Sequence, residues 1–314
     1  MSLLVVGSVA FDDVRTPFGE VRGVLGGSAT YFGIAASYFA DVNLVAVVGD
    51  DFPDESLELF RTHRVNIDGL ERRSGKTFRW SGEYGFDLNE ATTHATHLNV
   101  FETFEPKLPA SYRACPYVFL ANIDPVLQRQ VLEQMEAPEL VACDTMNFWI
   151  EGKPKELKET LRRVDILTIN DSEARELASR PNIYQAAQAI LAMGPSALIV
   201  KRGEYGALMF NEEKVFAIPA YPLEAVFDPT GAGDSFAGGV MGYLANVRNV
   251  TDATLRQAII MGSVMASFSV EAFSLDRLRA VTYDEILERY KAFRRLVHFE
   301  DLGPGELAVQ RLMI

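Results

Sequence analysis

Short apolar runs alternate along the chain with longer segments in which apolar residues recur at helical spacing. A run that is apolar on both faces is typical of a strand in a parallel sheet covered by helices on both sides. Between two of the runs, Leu127, Val131 and Met135 share one face of a predicted helix. The pattern predicts an α/β fold with a doubly wound, mainly parallel sheet, and ligands at the carboxyl ends of its strands. The runs are LLVVG at 3–7, LVAVVG at 44–49, YVFLA at 117–121, LVACD at 140–144, ILTIN at 166–170 and ALIVKRG at 197–203.

One segment, from Thr77 to Asn89, has a period of two instead. Its odd positions are mostly polar, and a largely aromatic face of this kind predicts a half-covered strand or hairpin outside the main sheet. Segments 11–24 and 76–100 are together predicted to form a small β lid over a ligand or a second subunit, within a single domain spanning 1–314. The even positions are Phe78, Trp80, Gly82, Tyr84, Phe86 and Leu88.

The net charge of the chain limits the classes of molecule that it can bind. A formal net charge of -13 over 314 residues repels nucleic acid and anionic membranes over most of the surface. Apolar stretches fall short of the roughly 20 residues that a membrane span needs, and the first residues lack a basic leader. Cys115 and Cys143 lie in or beside apolar runs and are predicted to be buried thiols. These observations predict a cytoplasmic protein that acts on small molecules.

The segment FDPTGAGDSFAGGVMGYLA at 227–245 carries the strongest chemical signal. Gly231, Ala232 and Gly233 bear little or no side chain and precede a helical apolar pattern, so their N–H groups would point from a helix N-terminus at an anion such as phosphate. Asp234 lies in the first turn, where the helix dipole alone favours a carboxylate. A helix-capping acid is therefore the structural alternative to a catalytic one.

This segment resembles the second signature of the ribokinase/PfkB family of carbohydrate kinases, D-T-x-G-A-G-D, and differs from it by Pro229. The resemblance implies that the backbone of Gly231–Gly233 binds the transferring phosphoryl group and that Asp234 takes the proton from the acceptor hydroxyl. It also implies that Thr230 contacts the nucleotide. Asp228 is the expected ligand of a monovalent cation near this loop, and dependence on K+ is open.

The stretch LGGSATYFGIAASYFADVNLVAVVGDD at 25–51 resembles the first family signature, in which a Gly-Gly pair opens a helix under the sugar. Gly26 and Gly27 match, and Tyr31 stands where members often carry Asn. GSVAFD at 7–12 is similar to the family's G-S-x-x-x-D, which implies that Asp12 holds two substrate hydroxyls. Alone, a Gly-Gly turn and a solvated loop acid would explain these residues equally well.

NDSEARELA at 170–178 reproduces the family's N-x-x-E and implies that Asn170 and Glu173 organise Mg2+ at the ATP phosphates. A helix-capping arrangement is the alternative, and the two are compatible because phosphate and water supply most Mg2+ ligands. KRGEYG at 201–206 resembles K-x-G-x-x-G, so Lys201 is the expected phosphate contact, with Gly203 and Gly206 bordering the nucleotide.

Polar residues also follow two strands: Asn122 follows YVFLA, and Asp144 and Asn147 follow LVAC, and all three are expected to reach the acceptor. Loop capping explains all three equally well. Neither a P-loop nor a protein-kinase glycine-rich loop with its H-R-D is present.

The resemblance implies transfer of the ATP γ-phosphoryl group, with Mg2+, to a primary hydroxyl of a small sugar. The aromatic lid, with Phe11 and Tyr31, would stack a base equally well, so a nucleoside kinase of the same superfamily is the alternative. A non-catalytic sugar or nucleotide sensor is disfavoured because Asp234 and the Asn170/Glu173 pair are intact. A homodimer formed through the lid is open.

Overall fold

The main sheet of the computed structural model, which describes residues 2–212 and 214–300, has nine strands in the order β13-β12-β11-β10-β9-β8-β1-β4-β5. Every neighbouring pair from β11 to β5 is parallel, and β12 and β13 add an antiparallel edge. The predicted doubly wound, mainly parallel sheet is confirmed. The strands are β1 (Ser2–Val6), β4 (Asp41–Val48), β5 (Val65–Arg72), β8 (Tyr117–Leu120), β9 (Leu140–Asp144), β10 (Ile166–Asn170), β11 (Ala197–Lys201), β12 (Ala207–Asn211) and β13 (Val215–Ile218).

The strand order reverses between β1 and β8. From β1 the chain continues to β4 and β5 on one side, and the later strands β8 to β13 extend the sheet on the other. Such a switch leaves a crevice at the carboxyl ends of the two central strands, which is where open α/β sheets bind ligands. Residues that follow β1 and β8 therefore line the expected site.

Helices cover both faces of the sheet, as the runs that are apolar on both faces predict. In β1, Leu3 and Val5 pack on one side and Leu4 and Val6 on the other. The first side is covered by α1, α2 and α8–α10, and the second by α3–α7. The helices are α1 (Ser28–Ser37), α2 (Asp54–Thr62), α3 (Pro125–Gln134), α4 (Asn147–Gly152), α5 (Pro154–Leu161), α6 (Asp171–Ala178), α7 (Ile183–Leu191), α8 (Ala232–Val247), α9 (Asp252–Ser269) and α10 (Tyr283–Val297).

Helix α8 is wedged between α1 and α9, and its small residues make this possible. A side chain on Gly238 would begin 2.5 Å from the backbone oxygen of Phe32 in α1, and one on Gly239 would begin 2.8 Å from that of Met261 in α9. Such distances are far below van der Waals contact. The close packing fixes the N-terminus of α8, where the glycine-rich loop ends.

A second, four-stranded sheet lies outside the main one, in the order β3-β2-β6-β7. Its strands are β2 (Ala10–Thr16), β3 (Gly19–Gly26), β6 (Phe78–Tyr84) and β7 (Ala91–His97). The two central strands, β2 and β6, run parallel, whereas the outer pairs are antiparallel. This small sheet is built from the segments that were predicted to form a lid; its movement as a lid stays a prediction.

The predicted strand from Thr77 to Asn89 is shorter than expected. Strand β6 ends at Tyr84, and Phe86 is 100% exposed in the following turn. The chain turns there because the Asp87 carboxylate accepts hydrogen bonds from the backbone and side-chain amides of Asn89, at 2.9 and 2.8 Å. Thr77, expected on a polar face, is buried because its backbone N–H and hydroxyl both donate to Asp51.

Other predictions on the described residues fare as follows. Cys115 and Cys143 are buried free thiols, as predicted. None of the described helices is long and apolar enough to cross a membrane. Strand β5 was not predicted because its sequence, VNIDGLER, carries charges suited to a half-exposed sheet edge.

Candidate active site

A pair of glycines, Gly26 and Gly27, links β3 to helix α1 and packs against the end of β1 and strand β2. Gly27 has φ 94°, and a side chain there would begin 2.6 Å from the backbone oxygen of Ser8. Ser8 and Ser28 lock the junction, since the backbone N–H of each donates to the hydroxyl of the other, at 3.2 and 3.0 Å. A side chain on Gly26 would begin 1.9 Å from Oδ2 of Asp12. The glycines thus have a packing role, and they hold Asp12 at the N-terminus of α1.

The Asp12 carboxyl is only 4% exposed and has an unusual proton affinity. Burial, with the nearby charges of Asp228 and Asp234, raises its pKa to about 8, although a hydrogen bond from the backbone of Gly27 opposes the shift. The carboxyl therefore keeps its proton at neutral pH until another group pairs with it.

Tyr31 of α1 packs directly on the glycine-rich loop. A side chain on Gly231 would begin 2.3 Å from the Tyr31 ring, and Gly231 has φ 74° at the N-cap of α8. Tyr31 is 1% exposed, and its hydroxyl has no hydrogen-bond partner among the described residues. Burial, followed by the charges of Asp12 and Asp228, raises its pKa. Packing against Tyr31 therefore explains why position 231 has no side chain, in addition to the space that the expected anion would need.

Asp234 lies in the first turn of α8, close to a buried ion pair. Lys201, at the end of β11, donates to Oδ2 of Asp144 at 2.6 Å, and its Nζ lies 3.0 Å from where a side chain on Gly233 would begin. Burial and the charge of Asp144 raise the pKa of Asp234 to about 7, while Lys201 opposes the shift. Together, the N–H groups of the glycine-rich loop and the Lys201 ammonium can bind an anion, and the Asp234 carboxylate can accept a proton beside it.

Asn170 and Glu173 form a capping box at the start of α6, which is the structural alternative considered for them. The Asn170 side chain accepts from the backbone N–H of Glu173, and Glu173 accepts from that of Asn170, both at 2.8 Å. Burial and the charge of Asp144 raise the pKa of Glu173 to about 7. Among residues 2–212 and 214–300, no group of three His, Cys, Asp or Glu converges as a metal site.

Asp228 is buried beneath the loop and uses both carboxylate oxygens as acceptors. Oδ1 accepts from the backbone N–H of Thr230 and Oδ2 from that of Ser274, each at 2.9 Å. Desolvation raises its pKa. The Thr230 hydroxyl donates to the hydroxyl of Tyr84 in β6, at 3.4 Å. The small sheet therefore touches the glycine-rich loop.

The tip of the small sheet also reaches the loop that follows β11. The backbone N–H of Glu204 donates to Oδ1 of Asn89 at 3.4 Å, and the same oxygen lies 1.8 Å from where a side chain on Gly203 would begin. Gly206, at φ 85°, would meet the backbone oxygen of Ile218 at 2.0 Å. Residues of the β6–β7 turn thus connect the small sheet to the loop that follows β11.

Among the predicted site residues, Asn122 makes its contact outside this group. Its Oδ1 accepts a hydrogen bond from the indole N–H of Trp149 at 3.1 Å. Three contacts were not singled out from the sequence: Asp144 with Lys201, Tyr84 with Thr230, and Asn89 with Gly203. Asp144 had a usable signal, because it follows a buried strand. The other two join residues far apart in sequence, which no local pattern marks.

The comparisons with known proteins agree on a family. The profile described as pfkB family carbohydrate kinase matches residues 4–278. The chain is 28% identical over 250 residues to cytidine kinase of Thermococcus kodakarensis, covering 77% of this chain and 88% of that protein. It is 26% identical over 312 residues to inositol 3-kinase of Arabidopsis thaliana, covering 92% and 80%.

A solved structure shows the same fold. The nucleoside kinase of Methanocaldococcus jannaschii, an archaeal member of the ribokinase family, superposes with a TM-score of 0.74 at 21% identity, over 93% of this chain and 98% of that one. The likeness supports the ribokinase-like fold that the sequence predicts. The chain belongs to the pfkB family of carbohydrate kinases and is therefore a phosphotransferase.

Proposed function

We propose that this protein transfers the γ-phosphoryl group of ATP to a primary hydroxyl of a nucleoside. The observation that carries the proposal is the position of Asp234 beside Gly233 and the Lys201 ammonium, at the N-terminus of α8. Phosphoryl transfer needs positioning and charge neutralisation more than covalent participation of the protein. A helix N-terminus, an ammonium and a carboxylate base supply these elements at one place.

On the acceptor side, Asp12 is proposed to bind two ring hydroxyls, with Gly26 and Gly27 packed against it and Tyr31 beside the glycine-rich loop. Asp234 takes the proton of the primary hydroxyl as the phosphoryl group arrives. A pKa of about 7 suits this role, because a base with a pKa near the working pH combines an adequate ionised fraction with basicity. The N–H groups of the 231–233 loop and Lys201 face the transferring group.

On the nucleotide side, Lys201, Thr230, Gly203 and Gly206 are proposed to line the ATP site. Glu173 fits Mg2+ as an oxygen ligand, because its capping contact uses only Oε2. Asn170 Oδ1 already accepts from the backbone N–H of Glu173 and from the Ser172 hydroxyl, so Ser172 would have to release it for Asn170 to bind the ion or its waters. Mg2+, when bound, would neutralise charge on the phosphates. Asp228 similarly fits a monovalent cation such as K+, because each of its oxygens has one accepted backbone bond and a spare lone pair.

The choice of a nucleoside over a free sugar departs from the first expectation from the sequence. It is supported by cytidine kinase as a relative over 88% of that protein's length, and by the proximity of Tyr31 and Tyr84 to Asp12, the proposed acceptor ligand. A sugar or cyclitol acceptor is the second candidate, because inositol 3-kinase aligns over 92% of this chain.

A panel assay decides between the two. ADP release with Mg-ATP should be measured for cytidine, adenosine, inosine, ribose, fructose, 2-keto-3-deoxygluconate and myo-inositol. We expect saturable turnover with at least one nucleoside and much lower kcat/KM with the free sugars. Turnover with a sugar or inositol alone would replace the nucleoside proposal with the second candidate. A size measurement on the same sample tests whether two copies pair through the small sheet, which the sequence leaves open.

A further inference from the structure

Asp144 is held rigidly at the centre of the site, although the proposed reaction gives it no role so far. It is the last residue of β9 and is 5% exposed. Oδ1 accepts from the backbone N–H of Thr145 at 2.8 Å, and the backbone oxygen accepts from the side chain of Gln128 at 3.0 Å. Its second oxygen, Oδ2, accepts from Lys201 at 2.6 Å. A carboxylate this well fixed determines where its partner sits.

Lys201 has a choice of partners. The Lys201 ammonium interacts electrostatically with three carboxyl groups, those of Asp144, Asp234 and Glu173. It donates a hydrogen bond to Asp144 alone. An ammonium that paired with Asp234 instead would stabilise the ionised form of that carboxylate and weaken it as a base. The ammonium would also move away from Gly233, beside which Nζ now lies. The selection of Asp144 as partner is therefore relevant to catalysis.

We propose that Asp144 is a positioning residue, which holds the Lys201 ammonium against Gly233 so that this charge meets the transferring phosphoryl group instead of pairing with Asp234. The inference rests on the proposed function of Asp234 as base. Asp144 itself does not touch the acceptor or the phosphoryl group in this arrangement. It affects kcat through Lys201, whereas its own negative charge on Asp234 affects the pH dependence.

The pH dependence of the reaction carries the signature of this role. Asp144 raises the pKa of Asp234 and Lys201 lowers it. Removing the Asp144 charge should lower that pKa, both directly and because the released ammonium can approach Asp234. Removing the ammonium should raise it. The groups that share this electrostatic environment are Asp144 from β9, Lys201 from β11, Glu173 from α6, Asp12 from β2, Tyr31 from α1 and Tyr84 from β6.

The test compares Asp144→Asn, Lys201→Met and the double variant. For Asp144→Asn we expect kcat to fall roughly 10- to 100-fold, as for a misplaced catalytic group, and the acid limb of kcat/KM to move to lower pH by about one unit or more. For Lys201→Met the limb should move to higher pH. The double variant should lose no more kcat than Lys201→Met, because Asp144 acts through Lys201.

Asp252→Asn is the matched control, since it removes an acid that pairs with Lys214 at the start of α9. The 16 residues of α8 separate that pair from the site by about 24 Å. We expect wild-type kcat and pH profile for this control. An additional loss of kcat when Asp144→Asn is combined with Lys201→Met would overturn the proposal, as would an acid limb that does not move.

A titration of 13C-labelled aspartate side chains by NMR tests the inference without turnover. Asp234 is assigned by its absence from the spectrum of Asp234→Asn. Its midpoint should be lower in Asp144→Asn than in the wild type, and higher in Lys201→Met. Unchanged midpoints would overturn the inference even in an active enzyme. A wild-type protein that phosphorylates nothing, yet shows both shifts, would instead overturn the proposed function alone.

Discussion

At the scale of single residues, Asp234 separates a catalytic carboxylate from a helix-capping one. Replacing Asp234 by Asn keeps its shape and removes the base, so kcat should fall roughly 100- to 10,000-fold. The acid limb of kcat/KM near pH 7 should disappear with it. Mg-ATP binding should persist or tighten, because a negative charge near the phosphates is lost. Steady-state kinetics with a nucleotide-binding titration check this.

The capping alternative makes the opposite prediction for the same variant. A carboxylate that served only the helix dipole would cost about 0.3–1 kcal/mol of stability when removed, with nearly normal turnover. Since burial raises the pKa of Asp234, its charge opposes folding, and we expect the melting temperature to hold or rise. A variant that melts lower and turns over normally would show that Asp234 is only a cap.

Asp12 should reveal itself in the pH dependence of stability. Its folded-state pKa of about 8 lies above the ordinary value of 3.8, so between these values the folded protein binds more protons and stability falls as pH rises. Asp12→Asn removes this term. At pH 8 the variant should therefore unfold at a higher temperature than the wild type, by at least about 2–4 °C, the equivalent of about 1 kcal/mol.

The gain from Asp12→Asn should shrink toward pH 4, where the unfolded state of the wild type is also partly protonated. The acceptor KM should rise, because an acceptor that pairs with Asp12 favours its carboxylate form, which binds hydroxyls more strongly than a neutral amide does. Calorimetry at the two pH values measures the first effect. Equal melting temperatures for variant and wild type at pH 8 would mean that Asp12 is not electrostatically strained in the folded protein.

At the scale of elements, the small sheet contacts both the glycine-rich loop and the loop that follows β11. Tyr84 contacts Thr230 on the glycine-rich loop, and Asn89 contacts the loop at Gly203 and Glu204. Both hydrogen bonds are long, at 3.4 Å, so both can open and reform readily. Closure of the small sheet over the acceptor, as predicted from the sequence, would exclude the water that could otherwise accept the phosphoryl group.

Hydrogen exchange tests this movement. Amides of residues 77–89 should exchange more slowly when an acceptor that the protein phosphorylates is bound, because closure buries the strand and its turn. Strands β12 and β13, at the far edge of the main sheet, serve as the internal reference and should not change. If a protein shown to be monomeric exchanges at the same rate with and without acceptor, the small sheet is a fixed wall of the site.

The elements differ in how far their sequences predicted them. α8 was predicted well because its glycine-rich loop and its helical spacing are both local. β6 was predicted too long because the alternating pattern continues to Leu88 while the Asp87–Asn89 turn ends the strand. Tyr31 was expected as a substrate contact, but its packing on Gly231 joins two distant segments and could not be predicted from either.

At the scale of the whole molecule, the layered sheet followed from the sequence because a parallel sheet buried on both faces requires continuous apolar runs. β12 and β13 escaped prediction since they pair antiparallel at one edge, where the runs are short and partly exposed. The ion pair of Lys201 with Asp144 depends on β11, β10 and β9 being neighbours. Strand order is a property of the assembled sheet, and no local pattern encodes it.

The parallel pairing of β2 with β6 has a consequence for how the chain acquires its site during folding. Along the chain, the elements α1, β4, α2 and β5 all lie between the two strands. A parallel pair cannot be joined by a tight hairpin. Closing that long loop is entropically costly until the intervening elements have docked on the main sheet. The newly made polypeptide therefore has a packed interior before β6 pairs with β2 and brings Tyr84 to Thr230, and the small sheet is among the last parts to mature.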